Sequence, residues 1–241
     1  MNLIIDIGNS KVKIAVYSKS AIIFSTTRKH NQLYETVFEI LDKFKNINKC
    51  ILSAVGKLPT ALLNVLPKTI TKVELSYTLN FPFNNHYKTP QTLGVDRLAL
   101  VSAAVVLYPN ENVLIIDAGT CITYDFVDAK SNYFGGAISP GLTMRYKALH
   151  NQTEKLPLLK PKSITSVIGQ STKECIHSGV INGLIYEIEG VLTYYRSKYH
   201  DFTIILTGGD SKFLSKRLKN SIFADSNFLL EGLNHILEYN T

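Results

Sequence analysis

The chain has 241 residues, of which 45% are hydrophobic and 19% are charged, and its formal net charge is +7. This length suffices for one large domain or two small ones with real cores, and the composition excludes a disordered chain. The longest nearly apolar run, at 98–108, is far shorter than the roughly 20 residues that a membrane helix needs.

Asp6 interrupts the first apolar run, which argues against a secretory signal. We therefore expect a soluble cytoplasmic protein with no membrane partner. The cysteines, Cys50, Cys121 and Cys175, are isolated in the sequence. Their spacing indicates neither a disulfide framework nor a zinc site.

Positive charge is spread along the chain, and its densest cluster is Lys212, Lys216, Arg217 and Lys219. Apolar residues alternate with these basic residues at helical spacing, which favours an amphipathic helix with a solvated face over a nucleic-acid site. We therefore expect no nucleic-acid partner. Diffuse positive charge suits small anionic ligands such as nucleotides.

In chain order, the first part of the sequence alternates strand and helix patterns. Alternating or continuous apolar runs predict strands at 3–8, 11–18, 21–27, 50–55 and 70–75. A helical period predicts helices at 31–45, 58–66 and 94–108. Residues 76–93, which include two prolines and three asparagines, are typical of a loop.

After Asn110 the pattern restarts. The predicted strands lie at 112–119, 121–128, 132–139 and 203–209. The predicted helices lie at 140–150, 171–198 and on both sides of 221–225, and a loop is predicted at about 151–166. This order indicates an internal duplication of an α/β unit. We expect two similar halves, 1–110 and 111–241, with a cleft between them.

One phrase opens both halves: NLIIDIGNSKVK at 2–13 and NVLIIDAGTCIT at 112–123. In each copy a strand carries an aspartate and turns at a glycine followed by polar residues. Such a turn offers backbone N–H groups to a phosphate, and an aspartate beside it can recruit Mg²⁺ together with substrate phosphates. An ordinary hairpin is the alternative for one copy alone. Two matching copies favour a pair of phosphate turns, in a chain with neither GxxxxGK[ST] nor GxGxxG.

Two further segments carry chemistry. Asp96 and Arg97 precede an apolar helical face, where an aspartate can accept a proton in phosphoryl transfer and an arginine can hold a carboxylate with two hydrogen bonds. A helix-dipole aspartate beside a surface arginine is an equally good interpretation. The glycine pair in LTGGDS, at 206–211, suits either a nucleoside lying against the backbone or the start of a helix.

Together these motifs resemble the duplicated ribonuclease-H-like fold of actin, sugar kinases and chaperone ATPases, and more narrowly the type III pantothenate kinases. The stretches that carry the resemblance are DIGNSKVK at 6–13, YKTPQTLGVDR at 87–97, DAGTCIT at 117–123, GGAISPGLTMRYKAL at 135–149, QSTKECIHSG at 170–179 and LTGGDS at 206–211. The resemblance implies ATP-dependent phosphorylation of pantothenate, a homodimer, Mg²⁺ with ATP, and a monovalent cation, K⁺ or NH₄⁺.

The resemblance also implies roles for individual residues. Those implied to bind ATP are Asp6, Ile7, Gly8, Asn9, Ser10, Lys11, Val12, Lys13 and Thr120. Those implied to bind pantothenate are Tyr87, Gly94, Val95, Asp96, Arg97 and Thr172, the last across the dimer interface. Asp96 is implied to be the catalytic proton acceptor, Asp117 to bind the monovalent cation, and Asp6 to help hold the Mg-nucleotide.

The sequence departs from the family pattern at three positions. Ser10 replaces the commoner Thr, Val95 the commoner Ala, and Cys121 a common Ala. We expect Cys121 to be a buried inert thiol rather than an oxidation-sensitive one. None of these changes removes a charged group. The competing hypotheses are a catalytically silent nucleotide-binding relative and an actin- or chaperone-like ATPase, for which the chain is short.

Overall fold

A computed structural model of the chain describes residues 1–56, 58–164, 166–218 and 223–241. Its strands are β1 Asn2–Ile7, β2 Val12–Ser18, β3 Ala21–Arg28, β4 Lys49–Ala54, β5 Thr71–Glu74, β6 Asn84–Asn85, β7 Val113–Ala118, β8 Cys121–Val127, β9 Asn132–Pro140, β10 Thr203–Thr207 and β11 Phe223–Ala224. Its α-helices are α1 Leu33–Lys43, α2 Thr60–Val65, α3 Val95–Leu107, α4 Leu142–Asn151, α5 Thr172–Lys198, α6 Ser211–Ser215 and α7 Phe228–Tyr239.

The first of two compact units comprises Met1–Asn110, Ala129–Phe134 and Asn227–Thr241. It contains a five-stranded sheet in the order β3-β2-β1-β4-β5, in which β1 is antiparallel to β2 and parallel to β4. One face of β1 packs on α1 and α2, and the other packs on α7. Because both faces of β1 are covered, its sequence is an almost continuous apolar run. Every residue in it is buried.

The second unit comprises Glu111–Asp128 and Gly135–Ser226. Its strands follow the order β11-β10-β7-β8-β9, with β7 antiparallel to β8 and parallel to β10. One face of this sheet packs on α4 and α5, whose buried residues include Tyr146 and Leu184. The first three residues of β9 lie in the first unit, where Asn132 and Tyr133 pair with β6.

The two units repeat one local topology. A central strand, β1 or β7, runs antiparallel to the next strand and parallel to a later one, β4 or β10. This repetition agrees with the expected duplication. The predicted boundary at residue 110 divides the two copies of the repeated sequence, whereas the two compact units are defined by packing. The boundary therefore stays a prediction. In the structure the last helix, α7, packs on α3 in the first unit.

Some predicted elements need correction. The predicted loop at 76–93 contains the short strand β6 and a 3₁₀ helix, Pro90–Thr92. The helix predicted from residue 140 begins at Leu142, because β9 continues to Pro140. The basic amphipathic helix is only the five-residue α6, and Lys216 and Arg217 follow it. The side chain of Arg217 turns back toward α6, where it donates a hydrogen bond to the carbonyl of Phe213 at 3.1 Å. Lys219 lies outside the described residues.

Across the described ranges, no helix has the combination of length and apolar character that crossing a bilayer requires.

Candidate active site

The turn after β1 presents a row of polar residues. Gly8 N–H donates to the carbonyl of Lys11 at 3.1 Å, which closes the turn between β1 and β2. Asn9, Ser10 and Lys11 are exposed, and an imidazole nitrogen of His30 lies 2.9 Å from the Gly8 carbonyl oxygen. The turn therefore offers an amide, a hydroxyl and an ammonium group at the end of a rigid buried strand, as a phosphate site requires.

Asp6 lies just before this turn and is almost completely buried, with 5% exposure. Strand alternation places it on the same face as Asn2, which hydrogen-bonds to Asn234 of α7 at 2.8 Å. Ser53 stands directly opposite on β4 and donates its hydroxyl proton to the Asp6 carboxylate at 2.9 Å. Lys13 stands opposite on β2.

Burial raises the pKa of Asp6 to about 6. The Ser53 hydrogen bond and the Lys13 charge oppose this rise, whereas the negative charge of Asp96 adds to it. Asp6 and Asp96, both in the first unit, therefore lie close enough for each charge to act on the other.

Asp96 lies in the first turn of α3 and is half-buried. Its carboxylate accepts the backbone N–H of Arg97 at 2.9 Å. A Cβ on the preceding Gly94 would collide with this carboxylate oxygen, so only glycine leaves the Asp96 side chain in this position. The predicted substrate segment therefore has glycine at position 94 for a steric reason.

Arg97 is buried, with 4% exposure, and its guanidinium carbon lies 5.7 Å from the centre of the Tyr87 ring. Tyr87 stacks in turn on the fully buried Tyr133, with 9° between the ring planes and 6.5 Å between their centres. The stack holds an arginine and a tyrosine beside the start of α3. The first unit therefore brings together Tyr87 and Arg97 as well as the two carboxylates.

The second turn has the same form as the first. Gly119 N–H donates to the carbonyl of Cys121 at 2.9 Å, which closes the turn between β7 and β8, and Thr120 at its tip is exposed. Gly141 N–H donates to the Thr120 carbonyl at 3.2 Å. Cys121 is half-buried rather than buried as expected, because it is the first residue of β8 and lies next to the turn.

Asp117 forms a row with two threonines across three strands. Thr123 on β8 and Thr207 on β10 are its direct partners, so the three side chains share one face of the sheet. Both hydroxyl oxygens are buried, and among the described residues neither has a hydrogen-bond partner. Gly208 follows with φ +91°, and a Cβ there would collide with the Asp117 carboxylate and the Ala118 carbonyl.

Thr172 is exposed at the first position of α5, in the second unit. The LTGGDS turn leads directly into α6, where Ser211 donates to the Gly208 carbonyl at 2.8 Å and Asp210 N–H donates to the Ala118 carbonyl at 3.0 Å. The helix-start interpretation therefore describes the conformation of this turn. Its contact with a nucleoside stays a prediction.

A family model described as type III pantothenate kinase matches residues 2–194. A type III pantothenate kinase of Christiangramia forsetii is 52% identical over 240 residues, covering 100% of this chain and 99% of the relative. One of Flavobacterium johnsoniae is 47% identical over 239 residues, covering 99% and 98%. The chain belongs to the type III pantothenate kinase family.

The solved structure of the activator of 2-hydroxyisocaproyl-CoA dehydratase from Clostridium difficile matches with a TM-score of 0.53. It is 13% identical, and the match covers 99% of this chain and 93% of that chain. At this identity the likeness shows the fold alone. It confirms the predicted α/β fold of actin-like ATPases and sugar kinases, to which other matched structures also belong.

Several side chains of the candidate site are not predicted from the sequence. In the sequence Ser53 is part of an apolar strand pattern, and its being the one serine in that strand is the signal that could identify it. Tyr133 was missed because its partner Tyr87 is distant in the sequence. Thr123 and Thr207 are ordinary strand residues in the sequence, and only the strand register places them beside Asp117.

Proposed function

We propose that the chain transfers the γ-phosphoryl group of ATP to the hydroxyl group of pantothenate, giving 4'-phosphopantothenate in the first step of coenzyme A biosynthesis. The observation that carries the proposal is the full-length match to relatives named type III pantothenate kinase. Because the reaction consumes ATP and K⁺ is proposed to support it, a cytoplasmic location is part of the proposal.

In this proposal Asp96 is the general base. It takes the proton of the pantothenate hydroxyl as that oxygen attacks the γ-phosphorus and the bond to the ADP oxygen breaks. Asp96 is half-buried, and the N–H of Arg97 orients its carboxylate. Arg97, held by Tyr87, offers two parallel hydrogen bonds to the pantothenate carboxylate.

The ATP phosphates are assigned to residues 6–13 and to Thr120. The first turn ends a buried strand and presents the exposed side chains of Asn9, Ser10 and Lys11. Asp6 would help to hold Mg²⁺ with the nucleotide, since Mg²⁺ is commonly bound by one or two carboxylates plus substrate phosphates. That one nucleotide engages both turns stays a prediction.

The row of Asp117, Thr123 and Thr207 fits a monovalent cation. A buried hydroxyl without a partner is costly, and a cation ligated by its oxygen would remove that cost. Asp117 would supply the charge and the two threonines neutral oxygens, a donor set typical of hard cations. Such a cation would supply positive charge near the phosphates during transfer. Asp117→Ala should therefore abolish activation by K⁺.

We also propose a homodimer. The long helix α5 exposes Tyr186 by 59% and Tyr194 by 54%, and such aromatic side chains are enriched at protein interfaces. In a dimer, Thr172 at the start of the same helix would reach the pantothenate of the partner site.

The test of the function is a coupled assay of ADP release with Mg-ATP, with and without pantothenate, in K⁺ and in Na⁺ buffer. Release that requires both pantothenate and K⁺ is expected. Release without pantothenate would identify an ATPase and contradict the proposal. The other hypothesis, a catalytically silent relative, is disfavoured because Asp6, Asp96 and Arg97 are all present. Nucleotide binding without turnover under every condition would favour it instead.

A further inference from the structure

The segment 135–149, GGAISPGLTMRYKAL, belongs to none of the predicted binding or catalytic sets, although it carries part of the family resemblance. It comprises the end of β9, the single residue Gly141 and most of α4. Its contacts within the second unit converge on the turn between β7 and β8, which holds Thr120.

Gly141 makes direct backbone contact with this turn. Its N–H donates to the Thr120 carbonyl at 3.2 Å, and a Cβ at this position would collide with the carbonyl oxygens of Gly119 and Thr120. The φ of Gly141 is −68°, which any residue adopts. Glycine is therefore required here for space and not for backbone conformation. The two backbones lie closer together than any side chain would permit.

Arg145 fixes the residues just before Gly141. Its Nε donates to the Pro140 carbonyl at 2.8 Å, and a terminal nitrogen donates to the Ser139 hydroxyl at 2.7 Å. The same nitrogen forms an ion pair with Glu187 of α5. Because the guanidinium is planar and rigid, these bonds hold the end of β9 in one orientation relative to α4.

Glu187 connects this assembly to the strand that leaves the turn. One carboxylate oxygen binds Arg145, and the other accepts the hydroxyl of Tyr124, on β8, at 2.9 Å. Although burial alone would raise it, hydrogen bonds from Ser139, Arg145 and Tyr124 keep the pKa of Glu187 below its usual range. Glu187 is therefore ionised at neutral pH and holds all three donors.

We propose that Arg145 and Glu187 are positioning residues, which hold Gly141 against the Gly119–Thr120 turn and so preset that turn for the phosphates of a nucleotide. That the ligand is a nucleotide rests on the proposed function. The physical reason is preorganisation: a turn that is already fixed loses little conformational entropy on binding, and a misplacement of about 1 Å can cost on the order of 100-fold in rate.

The experiment measures binding of a non-hydrolysable ATP analogue with Mg²⁺ by calorimetry, in the wild type and in Glu187→Gln and Ser139→Ala. Glu189→Gln is the matched control, since it makes the same change two residues further along α5. We expect the dissociation constant to rise about tenfold in Glu187→Gln, less in Ser139→Ala, and not in the control. Amide hydrogen exchange should accelerate in the peptide that covers 117–124, and the KM for pantothenate should change little.

An unchanged dissociation constant in both variants would overturn the proposal, even if their melting temperatures fall, because the contacts would then serve stability alone. If Glu187→Gln does not fold, Ser139→Ala decides by the same criterion. A wild-type protein that binds the analogue but does not phosphorylate pantothenate would refute the proposed function and leave this test intact. A wild-type protein that binds no nucleotide would refute both.

Discussion

Two carboxylates in the first unit have contrasting surroundings. Asp6 is almost fully buried against Ser53, and its pKa is raised to about 6. Asp96 is half-buried and accepts the backbone N–H of Arg97 at the start of α3. Differing environments suit differing roles: Asp96 is suited to accept a proton from the substrate, and Asp6 to act with a cation beside the phosphates.

The role of Asp96 predicts the effect of Asp96→Asn. The amide has nearly the same shape but cannot take the proton, so turnover should fall by roughly 10²- to 10⁴-fold. Nucleotide affinity should stay near the wild-type value, because Asp96 is not assigned to the phosphates. Single-turnover kinetics with calorimetry of the ATP analogue measures both quantities. Turnover within a few-fold of wild type would remove Asp96 from this role.

The burial of Asp6 predicts a stability cost that depends on pH. Its pKa in the folded chain, about 6, exceeds the unfolded value of 3.8, so the folded state binds the proton more tightly. Stability is therefore greatest below pH 3.8 as far as this group is concerned, and it is lost as the pH rises through 6. Well above pH 6, the burial of the charged Asp6 lowers the free energy of unfolding by about 3 kcal/mol.

Asp6→Asn should remove this cost. Urea unfolding without nucleotide should show the variant more stable than wild type at pH 8, with a smaller difference at pH 5. The exposed Asp201→Asn serves as the control and should shift neither value. Equal stability of Asp6→Asn and wild type at pH 8 would show that the buried charge is compensated. The variant should also lose stabilisation by Mg-ATP.

At the scale of elements, the central strands and long helices were predictable because burial on one or both faces imposes a period on the sequence. The strand β6 was not, since its two asparagines carry no such period and its partner in β9 is distant in the sequence. Similarly, the turns could be predicted from Gly8 and Gly119, whereas the supporting Ser53 and Glu187 depend on which elements become neighbours.

The packing of α7 on α3 predicts opposite effects for two helical glycines. A Cβ at Gly232 would collide with the Ala99 carbonyl, so Gly232→Ala should separate the helices and cost about 1–3 kcal/mol. Gly190, exposed within α5, has open space around it within one chain, so Gly190→Ala should stabilise the unassociated protomer by up to about 1 kcal/mol. Denaturant unfolding of both variants tests the prediction. A Gly232→Ala chain as stable as wild type would contradict the close helix contact.

At the scale of the whole molecule, the predicted sites fall into two groups. Asp6, Tyr87, Asp96 and Arg97 lie in the first unit, whereas Thr120 and Thr172 lie in the second. In the proposed dimer, Thr172 of one protomer would complete the pantothenate site of the other.

This arrangement makes a prediction for mixed dimers. Asp96→Asn and Thr172→Arg should each be nearly inactive alone, the first for lack of the base and the second because the arginine blocks the pocket. When the two are unfolded together and refolded, half of the dimers are mixed, and each has one intact site, so about a quarter of the wild-type activity should return. If Thr172 acts within its own protomer, every site keeps one defect and no activity returns. Size-exclusion chromatography with light scattering would establish that the variants form dimers, without which the mixing result could not arise.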